Sequence, residues 1–156
     1  MSTLKEAVEV EVPVGTAYNQ WTQFTEFPRY MKGVEQVRQL DDRHNHWSAK
    51  VAGLRREFDT EIVDQLPDER ITWRVTDGAT RHRGTVVFRP LDPHRTRVAL
   101  VMEVEPHGAA EKAADRAGLV GRLVKSDLRR FKTYIERRGH ETGAWRGRIR
   151  PGEHPG

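Results

Sequence analysis

Side chains that can transfer protons are sparse in this sequence, and His82 is the best placed of them. It has the same strand parity as Gly84, Val86 and Phe88, so all four are expected on one side of a strand, with His82 near its end. A desolvated histidine there can act as a base or donate a hydrogen bond to a ligand oxygen. The alternative is a strand-end histidine at the solvent rim.

Tyr30 and two residues near the end of the chain are further polar candidates. Tyr30 follows two predicted short helices, from which its hydroxyl could reach the mouth of a pocket or lie in water beside a packed ring. In the long C-terminal helix that the sequence predicts, Tyr134 lies about 80° and Asp127 about 60° from the apolar stripe. We therefore expect Tyr134 on the flank of the helix. Asp127 is expected in a surface ion pair with Arg130 rather than at the pocket mouth.

Residue types and spacing exclude several other chemistries. The absence of cysteine removes disulfides, thiolate nucleophiles and cysteine-based metal sites. His44 and His46 have no third ligand at a fixed spacing, so this segment is interpreted as a polar turn. No serine lies in a Gly-x-Ser-x-Gly elbow, and neither a phosphate-binding loop nor a dinucleotide fingerprint is present. The sequence therefore predicts no metal and no cofactor.

Alternation of apolar and polar residues predicts seven strands. Thr16 is a candidate helix cap after the first strand, and Pro28 separates a first short helix from a second short apolar turn. The connections between the later strands are short, so neighbouring strands should pair as antiparallel hairpins. The predicted strands cover residues 8–12, 34–40, 46–52, 55–65, 70–76, 81–90 and 96–105.

A long helix is predicted over residues 109–138, where apolar residues recur every three or four positions. The strands present one largely apolar face, which must be buried against this helix. Because a large antiparallel sheet twists and curls, a straight helix laid across it leaves a gap that is either filled by large side chains or open as a pocket. The elements predict an α+β fold, with a seven-stranded curved antiparallel sheet wrapped on a long C-terminal helix and two short helices after the first strand.

The length, the N-terminal residues and the charge of the chain indicate its domain organisation and its location in the cell. The 156 residues predict one domain over residues 1–139 and a flexible, basic, Gly- and Pro-rich tail over residues 140–156. No stretch approaches the roughly 20 apolar residues of a membrane span, and the N-terminus lacks the apolar run of a signal peptide. We therefore expect a cytoplasmic protein without stable membrane insertion. Residues 106–156 carry 12 basic and 6 acidic side chains. They lack the aromatic interleaving that stacks bases, so a solvated helix face is favoured over an anionic partner such as nucleic acid.

The order of elements and four segments resemble a known superfamily. The segments are VEVEVPV and AYNQW at the end of the first strand and in the helix after it, FPRYM in the following turn, and DLRRFK in the C-terminal helix. They resemble the polyketide cyclase/dehydrase branch of the START-like (SRPBCC, helix-grip) superfamily, over about residues 3–139. This resemblance implies that a hydrophobic small molecule is held between the sheet and the long helix. Some members of the family are cyclases or aromatases, and many only bind or carry a ligand.

The resulting prediction is binding of a small hydrophobic ligand, of polyketide, isoprenoid or lipid-like kind, in a cavity between the sheet and the C-terminal helix. The alternative is a polyketide cyclase, aromatase or dehydratase acting on a poly-ketone intermediate, with His82 and Tyr30 as candidate catalytic residues, so the question of enzymatic activity stays open. A homodimer is compatible with both functions. The residues expected to bind the ligand are Tyr30, Trp47, Phe58, Trp73, His82, Phe88, Met102, Val120, Val124 and Leu128.

Overall fold

Seven strands, two short helices and one long helix make up the protein. The computed structural model describes residues 2–51, 53–78, 81–104 and 113–151. The helices are α1 (Val14–Trp21), a 3₁₀ helix (Phe24–Arg29) and α2 (Ala113–Arg138). The strands are β1 (Ser2–Val10), β2 (Val34–Gln39), β3 (His44–Val51), β4 (Leu54–Leu66), β5 (Arg70–Gly78), β6 (His82–Asp92) and β7 (Arg95–Val104).

The strands form one antiparallel sheet in the order β1-β7-β6-β5-β4-β3-β2. Strands β2 to β7 are therefore a meander of consecutive hairpins, and β1 pairs with the far side of β7. Two register shifts between β4 and β5 leave extra residues on one strand, which increases the local twist. The sheet is curved into a half-barrel with α2 against it, so the predicted α+β helix-grip architecture is confirmed.

The two halves of α2 pack differently. Leu128, Phe131 and Ile135 in its C-terminal half are buried, whereas Val120 and Val124 nearer its start are only partly buried. Helix α2 packs mainly against β1. The helix is therefore anchored by its C-terminal half, and its preceding turns lie over a space in the curved sheet. No helix among the described residues is long and apolar enough to cross a membrane.

Three element boundaries differ from those expected. Strand β1 begins at Ser2 rather than residue 8, because its whole length pairs with β7 although Glu6 interrupts the apolar alternation. Helix α1 begins at Val14 with Pro13 as its N-cap residue, so Thr16 does not cap it. Strand β3 already begins at His44, because residues 44–46 pair with β4.

The second short helix includes Pro28, which a 3₁₀ helix of two turns accommodates because few of its backbone N–H groups need a helical partner. The predicted start of the long helix at residues 109–112 lies outside the described residues, as do residues 152–156 of the predicted tail.

Residues 140–151 lie against the body of the protein, which differs from the flexible tail expected for them. Ile149 is 2% exposed and forms a β-bridge with Gln65, with N–O distances of 2.8 and 2.9 Å. Gln20 donates to the Thr142 hydroxyl at 3.0 Å and accepts from the Thr142 backbone N–H at 2.9 Å. Since Gln20 and Gln65 are both buried, the segment supplies partners for the Gln20 side chain and for the backbone of Gln65.

We predict that Ile149→Ala destabilises the protein by about 2 kcal/mol or more, because it empties a buried site. The control is Arg148→Ala, an exposed change in the same segment that should stay within about 0.5 kcal/mol of wild type. Urea unfolding followed by tryptophan fluorescence measures both. Equal midpoints for wild type and Ile149→Ala would show that the segment does not pack on the body in solution.

Candidate functional site

A cavity of about 460 Å³ lies between the concave face of the sheet and α2. Its volume is within the range of small-molecule binding sites. Aromatic side chains supply much of the wall, namely Trp21, Phe24, Phe27, Trp47, Phe58 and Trp73. Aliphatic side chains from β7 and α2 close other sides, including Leu100, Met102, Val104, Val120, Leu123, Val124 and Leu128.

The aromatic wall is held by contacts between its own members. Trp47 and Phe58 are cross-strand neighbours, and their rings stack with centroids 6.1 Å apart and planes 11° apart. The Trp47 indole N–H donates to the Thr60 hydroxyl at 2.7 Å. On the other side, Trp47 meets Phe24 and Phe27 at 6.3 and 5.7 Å. These contacts orient the rings before any ligand arrives.

Two glycines permit close approaches that shape the cavity. A Cβ atom on Gly84 would lie 2.5 Å from Cζ2 of Trp73, so only glycine lets this indole lie across β6. A Cβ atom on Gly33 would lie 2.7 Å from Cδ2 of Leu123, so glycine also lets α2 approach the start of β2. The cavity therefore depends on missing side chains as well as on the large ones.

Few polar groups interrupt this apolar surface. Among the described lining residues, Arg56, His82 and Asp127 are the ionisable ones, and Asn45 and Thr60 are neutral. Asn45 is 1% exposed, and its Oδ1 atom has no hydrogen-bond partner within the described part of the chain. A buried acceptor facing a cavity is a natural contact for a ligand hydroxyl.

Asp127 is buried in the cavity wall rather than paired at the surface, so the expected ion pair with Arg130 is wrong. Its Oδ1 atom accepts from the Lys32 backbone N–H at 3.0 Å, which ties α2 to the turn before β2. Burial raises the pKa of Asp127 to about 6, although the backbone N–H groups of Lys32 and Gly33 and the charge of Arg130 oppose the shift. Near neutral pH the cavity therefore holds a carboxyl group that can change its protonation state.

His82 lies in the cavity wall at the start of β6, on the side that its strand parity predicts. Its imidazole meets the Phe58 ring edge-on, with centroids 5.1 Å apart and planes 83° apart. Strand β6 pairs with β7 so that His82 is opposite Val104, another lining residue. The ring is half-buried, which suits a group that must contact both ligand and water.

Most of the residues expected to bind the ligand line this cavity. Tyr30 and Phe88 do not. Phe88 has the expected parity but lies at the end of the sheet covered by α1, where it packs against Tyr18 and Trp21. Tyr30 packs behind the cavity. The residues that do line it are Trp47, Phe58, Trp73, His82, Met102, Val120, Val124 and Leu128.

Sequence reasoning missed Arg56 and Asn45, although the signal was present. Arg56 has the same parity in β4 as Phe58, and Asn45 has the same parity in β3 as Trp47. Asn45 immediately precedes the strand predicted over residues 46–52, and Arg56 is the second residue of the strand predicted over residues 55–65. Extending the alternation by one pair of residues in each strand would have found them.

His44 and His46 do not form a metal site. Both point away from the cavity, and their Nδ1 atoms lie 2.9 Å from Asp41 and 2.6 Å from Asp59. The hydrogen bond with Asp59 raises the pKa of His46. Across the described ranges, no group of three or more His, Asp or Glu side chains is placed to hold a metal ion.

Comparison with known proteins agrees with this architecture. A model of the family described as polyketide cyclase/dehydrase and lipid transport matches residues 10–133. The chain belongs to this family. The resemblance found in the sequence is therefore confirmed.

Relatives of this polyketide cyclase/dehydrase family member span nearly its whole length. An uncharacterised 17.2 kDa protein of Streptomyces lincolnensis, from the melC2-rnhH intergenic region, is 49% identical over 149 residues, which are 96% of this chain and 99% of that protein. A START superfamily protein from Mycobacterium smegmatis has a TM-score of 0.80 at 15% identity, covering 86% of this chain and 97% of that one. The Zhui aromatase/cyclase from Streptomyces sp. R1128 has a TM-score of 0.75 at 19% identity, covering 92% and 99%. At these identities, the two structures establish a shared fold.

The raised pKa of Asp127 predicts a pH-dependent loss of stability. Below about pH 4 the carboxyl is protonated in both folded and unfolded chains, so it has no effect. Between about pH 4 and 6 only the unfolded chain loses its proton, which costs the folded state about 3 kcal/mol by pH 7. The Asp127→Asn side chain does not ionise, so it avoids this cost. The free energy of unfolding of the variant, relative to wild type, should therefore rise by about 3 kcal/mol from pH 4 to pH 7.

Urea unfolding at several pH values between 4 and 7 measures this difference. The exposed Asp42→Asn is the matched control and should follow the wild-type profile. Parallel profiles for wild type and Asp127→Asn would mean that Asp127 has an ordinary pKa.

Proposed function

We propose that this protein binds a small hydrophobic molecule, of polyketide, isoprenoid or lipid-like kind, in the cavity between the sheet and α2. The cavity itself is the observation that carries the proposal. Protein interiors are normally packed as densely as organic crystals, so an apolar space of about 460 Å³ leaves many van der Waals contacts unmade. A bound hydrophobic ligand would make those contacts.

The polar groups of the cavity restrict the chemical class of this ligand. A plain hydrocarbon would leave Asn45 Oδ1 without a partner and would bury Asp127 beside an apolar surface. A ligand with a largely apolar body and a few hydroxyl or carbonyl oxygens satisfies these groups better. Arg56 and His82 can donate to carbonyl oxygens, and Asn45 can accept from a hydroxyl.

We predict that Ala49→Trp abolishes ligand uptake by filling the cavity. Ala49 is part of the cavity wall, and an indole there would occupy much of the space. Ala99→Trp makes the same change on a residue of β7 that alternates with the buried Val98 and Leu100, and so faces away from the cavity. Fluorescence titration with a hydrophobic probe should show at least tenfold weaker binding for the Ala49 variant only, since most apolar contacts of the probe are removed.

Mass spectrometry of organic extracts from the purified protein tests the same proposal without a probe. A bound species should be recovered from wild type and from the Ala99 variant, but not from the Ala49 variant. Circular dichroism of the Ala49 variant checks that it is folded. The absence of both probe uptake and extracted ligand in wild type would refute the proposal.

A second candidate function is a polyketide cyclase, aromatase or dehydratase. The observation that favours it is the placing of Arg56, His82 and Asp127 around one apolar cavity. Neutral His82 could remove a proton from a methylene group between two carbonyls of a poly-ketone. The resulting carbanion attacks a second carbonyl carbon, a carbon–carbon bond forms as the carbonyl π bond breaks, and the alkoxide oxygen takes its proton from the His82 imidazolium. Arg56 could stabilise that developing negative charge.

Tyr30 is not part of this mechanism. Its ring packs between the rings of Phe27, Phe131 and Tyr134, and burial raises its pKa further above the physiological range. Its role as a catalytic residue, considered from the sequence, is therefore replaced by those of Arg56 and Asp127. Loss of water after ring closure needs a base for the proton on the adjacent carbon and an acid for the leaving hydroxyl group. Neutral His82 can take that proton, and Asp127, protonated near its pKa of about 6, can donate to the hydroxyl.

Under this second function, His82→Ala should lower product formation about 100-fold or more while weakening ligand binding much less, because it removes a general base but only one hydrogen bond and little apolar surface. His94→Ala is the matched control, since His94 lies exposed in the turn between β6 and β7. The assay is chromatography of products from a synthetic poly-β-ketone thioester. If wild type turns over no substrate while binding it, the binding function alone stands.

A cytoplasmic location, a homodimer and the lack of a nucleic-acid partner stay predictions from the sequence, as does the domain boundary at residue 139.

A further inference from the structure

A second depression lies on another face of α2, between this helix and the 3₁₀ helix. We call it the arginine groove. Tyr30 and Tyr134 form part of its floor, and Ser126 and Thr133 add two hydroxyl groups. No lining residue of the cavity belongs to it. Its arginines are Arg29, Arg129, Arg130, Arg137 and Arg138.

The charge of this groove is poorly compensated. Arg29 pairs with Glu26 at 2.6 Å, and Arg138 lies over the Tyr134 ring at 5.7 Å. In contrast, no ion pair joins Arg129, Arg130 or Arg137 to a carboxylate within the described ranges. Elsewhere the described arginines commonly have such a partner, as in the pairs Arg70–Asp64, Arg74–Glu61, Arg95–Asp92 and Arg146–Asp68.

Polar atoms without partners are concentrated in the same place. Six buried side-chain nitrogen or oxygen atoms of the described residues lack a hydrogen bond. Three of the six belong to residues that line the groove. The Tyr30 hydroxyl lies beside the Gln20 side chain, which leaves the Tyr134 hydroxyl and the Nε atom of Arg130 at the groove. The two tyrosine rings stack with centroids 4.6 Å apart, which holds both side chains in place. Buried groups of this kind normally have partners, so these two donors are available to an anion that binds at the groove.

The donors at this site match a phosphate group. Arginine presents a planar fork of N–H donors that suits a phosphate bidentately, and tyrosine, serine and threonine hydroxyls add neutral donors. Arg129 and Arg137 have no carboxylate partner among the described residues, and together with the other arginines of the groove they suit a dianion or trianion. The depression between the two helices and the clustering of five arginines around it favour a small anionic group over a flat membrane surface. We propose that the arginine groove binds the phosphate or diphosphate group of a small phosphorylated ligand.

Calorimetric titration with inorganic pyrophosphate at low ionic strength tests this proposal. Wild type should bind. The double variant Arg129→Gln/Arg137→Gln should bind pyrophosphate at least about tenfold more weakly, because two charge-assisted contacts are lost. Both residues are exposed and have no side-chain partner among the described residues, so the fold should be unaffected. The matched control is Arg89→Gln/Arg97→Gln, which removes the same charge from neighbouring residues of β6 and β7 and should bind like wild type.

A single hydroxyl provides a finer test. Tyr134→Phe removes one buried donor and leaves the charge and the ring unchanged, so it should weaken pyrophosphate binding about fivefold. Ala49→Trp alters only the cavity and should bind pyrophosphate like wild type. The test is therefore independent of the proposed binding of a hydrophobic ligand.

Three outcomes would overturn the proposal. One is the absence of pyrophosphate binding by wild type. Another is an equal loss of binding in the groove variant and in the control variant, which would indicate a response to net charge. The third is binding to vesicles containing phosphatidic acid without binding to pyrophosphate, which would identify a membrane surface as the partner.

Discussion

The packing of the C-terminal half of α2 against the sheet and an aromatic cluster is the contact on which the rest of the structure depends. Phe131 and Ile135 are fully buried, and the Phe131 ring meets Trp21 at 5.2 Å and Tyr30 at 5.7 Å. Large buried aromatic groups contribute much of the hydrophobic free energy available to a domain of this size. Because the helix is rigid, fixing one half of it determines how far the other half stands above the curved sheet.

The cavity follows from that geometry. Beneath the turns of α2 around Val120 and Val124 the sheet curves away, and the aromatic side chains from β3, β4 and β5 line the space without filling it. Asp127 lies where the anchored half of the helix meets the cavity, and its bond to the Lys32 backbone holds the helix to the turn before β2. Asp127 therefore both holds the helix in place and places a carboxyl group with a raised pKa beside the cavity.

One helix consequently serves two different surfaces. Leu128 and its neighbours Val124 and Asp127 face the cavity, whereas Arg129 and Arg130 belong to the arginine groove. The helical repeat of 3.6 residues separates these groups although they are adjacent in sequence. Four arginines of the basic C-terminal region, which the sequence predicts as a solvated helix face, lie beside the two stacked tyrosines.

Strand and helix periodicity were enough to predict the seven strands, the long helix and the side of the sheet on which His82, Trp73 and Met102 lie. This is possible because side-chain direction alternates strictly along a strand and depends only on local geometry. Alternation does not predict where along the sheet a residue lies relative to the helices. Phe88 has the right parity but lies under α1, and Tyr30 lies behind the cavity, since curvature and helix placement are set by contacts between residues far apart in sequence.

Tertiary structure alone also decided the burial of Asp127 and the packing of residues 140–151. Asp127 is only about 60° from the apolar stripe, and the approach of Lys32 and Gly33 converts that intermediate position into a buried one. The terminal segment has few apolar residues, and it packs through buried Ile149, the backbone bridge of Ile149 with Gln65 and the hydrogen bonds of Thr142 with Gln20. Periodicity reports which residues share a face, but the volume of the cavity and the satisfaction of buried polar groups depend on the distances between elements.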